Sequence, residues 1–121
     1  MERAKKTLNN GISIMIFPEG TRTKTGDILK FKDGAFKLAI ETQTPILPVT
    51  IAGSYNALPR DTFIVRNRSF IRVHVDKPID VKGLTMDDLE ELKERCRNII
   101  INRKRELDRE VYEELKKWKG K

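Results

Sequence analysis

Residues Ile12 to Arg22 constrain the fold of this chain more than any other stretch, because an apolar run stops at a proline and gives way to a charged turn. Ile12, Ile14, Ile16 and Phe17, interleaved with Ser13 and Met15, predict a mostly buried strand. Pro18 has no N–H and cannot continue inside a ladder, so the chain must leave the sheet there. Beyond it, Gly20 lets the backbone turn or lie close to a ligand. Arg22 offers a planar, permanently charged fork suited to a carboxylate or a phosphate. Glu19, two residues past a buried strand, needs a partner, and Arg22 is the nearest cation in sequence. The residues alone describe an anion site at the edge of a sheet.

The rest of the chain supplies a setting for that turn. Glu2 to Asn9 predicts a helix stopped by Asn9-Asn10-Gly11. Pro18 to Asp33 is a polar loop with Thr25-Gly26-Asp27 at its tip, and its sixteen residues are too many for a plain connector. Gly34 to Thr42 predicts a short helix, with Phe36, Ala39 and Ile40 at helical spacing, and Ile46 to Ala52 a second strand whose Leu47, Val49 and Ile51 belong in the core. Strand, helix and strand in that order predict a right-handed βαβ unit with a parallel pair. The loops Pro18–Asp33 and Gly53–Arg60 would then leave the carboxyl ends of the strands, where open α/β sheets bind ligands. Asp61 to Val65 and Ser69 to Lys77 predict a hairpin around Arg66-Asn67-Arg68, ended by Pro78. His74 alternates there with valines and shares a face with Arg72 and Asp76, which predicts a solvated structural histidine.

Thr85 predicts an N-cap, followed by Asp87 and Asp88 in the first turn of a helix. From there Leu89, Leu92, Cys96, Ile99, Arg103, Leu107, Val111, Leu115 and Trp118 recur every three or four residues, which makes one long amphipathic helix. Its stripe is expected to pack on the sheet as far as about Ile100, with the distal part projecting, docking on a partner or lying on a membrane surface. The division is 1–84 for an α/β unit and 85–121 for the helix packed on it. Acids and bases mix on the polar face of that helix, unlike the basic face of an interfacial helix, so packing or partner contact is the favoured use.

Charge narrows the function classes. Residues 1–84 hold 14 Lys/Arg against 8 Asp/Glu, whereas 85–121 are nearly balanced, with 11 against 10. The basic excess accompanies the turn, where Arg22, Lys24, Lys30, Lys32 and Lys37 cluster, and suits an anionic headgroup, a phosphate or an anionic membrane surface. Nucleic acid is disfavoured, because the basic loop lacks interleaved aromatics and there is no Cys/His zinc pattern. A Walker loop is excluded, since Gly20 is followed five residues later by Thr25. No apolar run approaches the roughly 20 residues of a spanning helix, so any anchor lies outside the chain. The lone Cys96 excludes an internal disulfide and agrees with a cytosol-facing location.

Three blocks also resemble a family. Phe17-Pro18-Glu19-Gly20-Thr21-Arg22-Thr23, Phe31-Lys32-Asp33-Gly34-Ala35-Phe36 and Pro45-Ile46-Leu47-Pro48-Val49-Thr50-Ile51 are similar, in order and spacing, to blocks of the glycerolipid acyltransferases. The tail resembles the end of the bacterial lysophosphatidate enzymes through Pro78-Ile79-Asp80-Val81, Cys96-Arg97 and Glu106 to Val111. The implied fold is α/β, a partial mixed or parallel sheet with flanking helices and the long C-terminal amphipathic helix, corresponding to the C-terminal half of that fold. The implied reaction moves a fatty acyl group from a coenzyme A or acyl carrier protein thioester to 1-acylglycerol-3-phosphate, with no other cofactor.

The same resemblance exposes an omission. The family's His-x-x-x-x-Asp pair precedes the Phe-Pro-Glu-Gly block, and this chain has no such pair: its one histidine is His74, and the residue five positions later is Ile79. A positioned base is worth about a hundredfold to ten-thousandfold in rate, so the chain is expected to be inactive alone. It reads as a binding half, with no catalytic residue and no metal ligand of its own, whose partner is a missing N-terminal half.

The resemblance implies that Arg22 holds the acceptor phosphate, with Gly20 and Thr21 around the same anion and Lys32 as a second charge. For Glu19, a bond to the acceptor's glycerol hydroxyl and an ion pair with Arg22 both stay open. Pro48 ends a ladder or shapes the pocket wall. The alternatives are a non-catalytic basic module for anionic membrane or phosphate ligands, and an acyltransferase for glycerol-3-phosphate or a lysophospholipid.

Overall fold

A computed structural model describes residues 1–21, 25–54 and 70–119, with positions 118 and 119 described by their backbone alone. The order is α1 (Glu2–Asn9), α2 (Gly34–Thr42), β1 (Val49–Ala52), β2 (Arg72–Val75), a single 3₁₀ turn (Met86–Asp88) and α3 (Leu89–Lys119). The fold class is therefore α/β with a long C-terminal helix, as the residue pattern predicts.

The sheet differs from expectation. Its two strands are antiparallel, pairing Val49 with Val75 and Ile51 with Val73, so the parallel βαβ pair is not formed among the described residues. Ile12 to Phe17 runs without a strand partner among these residues, and its side chains are exposed except for the half-buried Ile14, with Met15 72% and Phe17 70% exposed. The physical reason is that an apolar run can be a buried strand only beside a neighbouring strand and under a covering layer, and the described residues supply neither. The hairpin partner Asp61–Val65, with Arg66-Asn67-Arg68, lies outside the described residues. The other arm is β2, and it pairs with β1.

The two faces of the sheet are reversed relative to the expected core. Thr50 and Ala52 are buried under α3, whereas Ile51, Val73 and Val75 look outward, Val73 being 60% exposed, and Leu47 and Ile71 are exposed as well. Leu47 and Ile51 are thus not core side chains here, and Val49 is only half-buried. Period-two alternation identified the two faces but could not say which one α3 would cover.

Helix α3, about 45 Å long by its rise per residue, holds the structure together. Thr85 caps its entry: its Oγ1 accepts from the Asp87 N–H at 3.3 Å, and its own N–H donates to Asp88 Oδ2 at 2.8 Å. The first half of the helix inserts Leu92 and Cys96 among Phe31, Phe36, Ile40, Ile79 and Val81. The second half packs Leu107 and Val111 on Ala52, flanked by Phe70 and Leu115. Packing on the sheet therefore runs well beyond Ile100, because the strands lie over the distal half of the helix and not the proximal one.

Between β1 and the Ile46–Ile79 bridge sits Pro48, fully buried, with its carbonyl accepting the Asp76 N–H at 2.9 Å. It is the architectural break in the ladder that its missing N–H predicts.

Candidate anion-binding turn

Residues Phe17 to Gly20 form a tight turn closed by the Gly20 N–H donating to the Phe17 carbonyl at 3.1 Å. Gly20 lies in the left-handed region at φ 76°, which a side chain would strain. The Lys32 N–H donates to the Pro18 carbonyl at 2.8 Å and draws the Phe31–Phe36 block back against the turn. The Lys32 side chain lies over Gly20 so closely that a Cβ at Gly20 would stand 2.7 Å from Lys32 Cε. Two sequence blocks a dozen residues apart thus become one surface, with an ammonium seated over a glycine turn.

Glu19 is half-buried, and its Oε2 accepts the Leu29 N–H at 2.7 Å. Neither role foreseen for this carboxylate includes that bond. The nearest cation in sequence, Arg22, lies outside the described residues with Thr23 and Lys24, so the expected Glu19–Arg22 ion pair is outside them too. Thr21 is exposed beside Gly20. Pro48, placed with these residues by the resemblance, sits in the ladder described above.

Beside Glu19 a cleft of about 480 Å³ opens between the loop tip, the end of β1 and α3, where Ile51, Gly53, Ser54, Lys104 and Tyr112 line it. An adjoining groove of about 240 Å³ is lined by Ile28, Arg97, Ile101 and Arg105. Lys104 is engaged with Asp108 at 2.6 Å, so its charge is partly answered within the helix.

Two α3 cations hold the loop. Lys93, only 7% exposed, bonds Asp33 Oδ1 at 2.8 Å and Glu90 Oε1 at 2.9 Å. The bond from Lys93 holds the Asp33 carboxyl below its ordinary range, and the bond from Asp33 raises the Lys93 ammonium. Arg97 donates through Nη2 to the Ile28 carbonyl at 2.9 Å and through Nε to the Leu29 carbonyl at 3.1 Å. Sequence reasoning did not find the Arg97 contacts, because backbone acceptors leave no mark in a residue pattern; the only signal at Arg97 was its place in the Cys96-Arg97 pair.

The family model for acyltransferases matches residues 1–52, a stretch that includes the glycine turn and the lysine laid over it. Over its matched length the chain is similar to the C-terminal part of proteins of this family. It is 38% identical over 102 residues to 1-acyl-sn-glycerol-3-phosphate acyltransferase of Escherichia coli, covering 84% of this chain and 40% of the relative. It is 36% identical over 110 residues to the human 1-acyl-sn-glycerol-3-phosphate acyltransferase alpha, covering 88% and 37% respectively. The crystal structure of the 1-acyl-sn-glycerophosphate acyltransferase PlsC from Thermotoga maritima superposes with a TM-score of 0.75 at 31% identity, over 88% of this chain and 43% of that one. The chain thus spans about two fifths of the length of these proteins.

Proposed function

We propose that this chain is the acceptor-binding part of a 1-acylglycerol-3-phosphate acyltransferase, the enzyme class that makes phosphatidate from lysophosphatidate. The observation that carries the reading is Lys32 seated over the Gly20 turn. A phosphate there meets the Lys32 ammonium, a point charge, and the resemblance implies the bidentate fork of Arg22 as its second partner. Gly20 and Thr21 border the same anion. Glu19, tied to the Leu29 N–H, shapes the turn and keeps its own negative charge in a fixed place.

In the reaction the acceptor hydroxyl forms an ester bond to the acyl carbon while the carbon–sulfur bond of the coenzyme A or acyl carrier protein thioester breaks. The hydroxyl proton passes to a base and on to the departing thiol. This chain's residues bind and orient the acceptor; the base belongs to a His-x-x-x-x-Asp block that its sequence lacks. In this reading a segment equivalent to the N-terminal portion of the relatives carries that block. We place the assembly peripherally on the cytosolic face of an anionic membrane. Among the described residues, no helix is long and apolar enough to cross one.

Calorimetric titration of the chain with a six-carbon lysophosphatidate tests the reading. Binding that weakens about tenfold or more in Lys32→Ala and in Arg22→Ala supports it. Binding to anionic vesicles without preference for the phosphomonoester would instead favour a basic membrane module.

A further inference from the structure

We infer that Arg97 is a positioning residue for the anion turn, acting through one peptide group. The peptide unit between Ile28 and Leu29 is bonded at both ends: its carbonyl accepts from Arg97 Nη2 at 2.9 Å, and its N–H donates to Glu19 Oε2 at 2.7 Å. A guanidinium on the carbonyl polarises the amide and strengthens what its N–H gives to the carboxylate. The second Arg97 bond, Nε to the Leu29 carbonyl at 3.1 Å, fixes the next peptide as well, so the fork cannot swing without releasing both. One helical turn earlier, Lys93 holds Asp33 at the far end of the same segment. Helix α3 therefore grips the stretch from Ile28 to Asp33 at two points, and that stretch carries Lys32 to Gly20 and the Leu29 N–H to Glu19.

The consequence is long-range. Arg97 lies 69 residues beyond Ile28 in sequence, in the helix whose other end packs on β1. Both of its hydrogen bonds here go to backbone carbonyls of the loop, which is the geometry of a support. This deepens the acceptor-binding reading, on which its functional half rests.

The test compares the purified chain with Arg97→Gln and Arg97→Lys by amide hydrogen exchange, with a six-carbon lysophosphatidate titrated into each. Exchange at Leu29 and Lys32 is expected to rise about tenfold or more in Arg97→Gln while exchange at Thr50 and Leu107 stays at wild-type values. Arg97→Lys, able to hold one carbonyl and not two, is expected to give an intermediate rise. Affinity for the lipid should fall in the same order. Unchanged Leu29 exchange in either variant overturns the proposal, and so does lost affinity with unchanged exchange, which would make Arg97 a direct ligand. If the Gln variant does not fold, the Lys variant carries the same two readouts. A wild-type chain that ignores the lipid refutes the acceptor-binding reading and with it the functional half, while the exchange comparison still decides the clamp.

Discussion

Asp76, at the end of β2, and Arg103, in the middle of α3, close on each other with Oδ1 and Nη2 2.8 Å apart, so the strand is tied to the helix beyond their apolar contact. The bond from Arg103 holds the Asp76 carboxyl below its ordinary value, and the bond from Lys93 does the same at Asp33. A carboxyl lowered on folding contributes stability that is complete above its unfolded pKa, near 4, and is lost as the pH falls through its folded value. The chain should therefore show a steady denaturation midpoint from neutrality to about pH 5 and a decline below about pH 4. Urea titrations at successive pH values check this. Asp76→Asn should be less stable at pH 7 and should show a shallower acid decline; an unchanged slope would count against the pair.

The Cys96 thiol is buried in the first core cluster, and burial pushes its pKa up to about 11. The thiolate is the reactive form, so labelling by iodoacetamide at pH 8 should be slow in the native chain. In urea it should approach the rate of a free thiol. Fast native labelling would show that α3 separates from Phe36 and Val81 far more often than this packing allows.

Thr50 is 1% exposed, and its Oγ1 has no hydrogen-bond partner among the described residues. Replacing it by the nearly isosteric valine removes the desolvated hydroxyl while keeping the shape. Thr50→Val is expected to be neutral or to stabilise by about 1 kcal/mol in denaturant titration. A loss beyond that would mean that the hydroxyl finds a partner in solution.

Gly53 has φ 91°, and a Cβ there would run into the backbone carbonyl oxygen of Phe70. Backbone cannot step aside as a lysine tip can. Gly53→Ala should cost about 2 kcal/mol or more by thermal or denaturant melts, from the left-handed strain together with the clash. At Gly20 the obstacle is the movable end of Lys32, so Gly20→Ala should cost only about 1 kcal/mol from its φ, while displacing the Lys32 ammonium.

The helices were legible because their signals are local. Asn9-Asn10-Gly11, the Thr85 cap and the stripe from Leu89 to Leu115 each specify structure within a few residues, and α1, α2 and α3 follow them. The sheet was legible only in part. Alternation marked β1 and β2, but pairing direction depends on chain paths that alternation does not encode, and Ile12 to Phe17 carries a strand pattern without a neighbour among the described residues. In the site, Gly20 and Lys32 belong to two separate sequence blocks, and neither block foretold that the Lys32 side chain would lie over Gly20. The Leu29 N–H that takes Glu19, and the carbonyls that take Arg97, are backbone groups every residue possesses, so nothing in a sequence points to them.

Helix α3 also sets an angular phase between the two ends of the molecule. Cys96 faces one cluster and Leu107 the other, eleven residues apart, or about 16 Å along the axis. One alanine inserted near Asn102 would leave each cluster's local sequence intact, yet turn one against the other by about 100° and lengthen the span by about 1.5 Å. The loop gripped by Lys93 and Arg97 would then no longer face the strand edge that completes the cleft at Gly53, and the register of a single helix becomes the dimension on which that cleft depends.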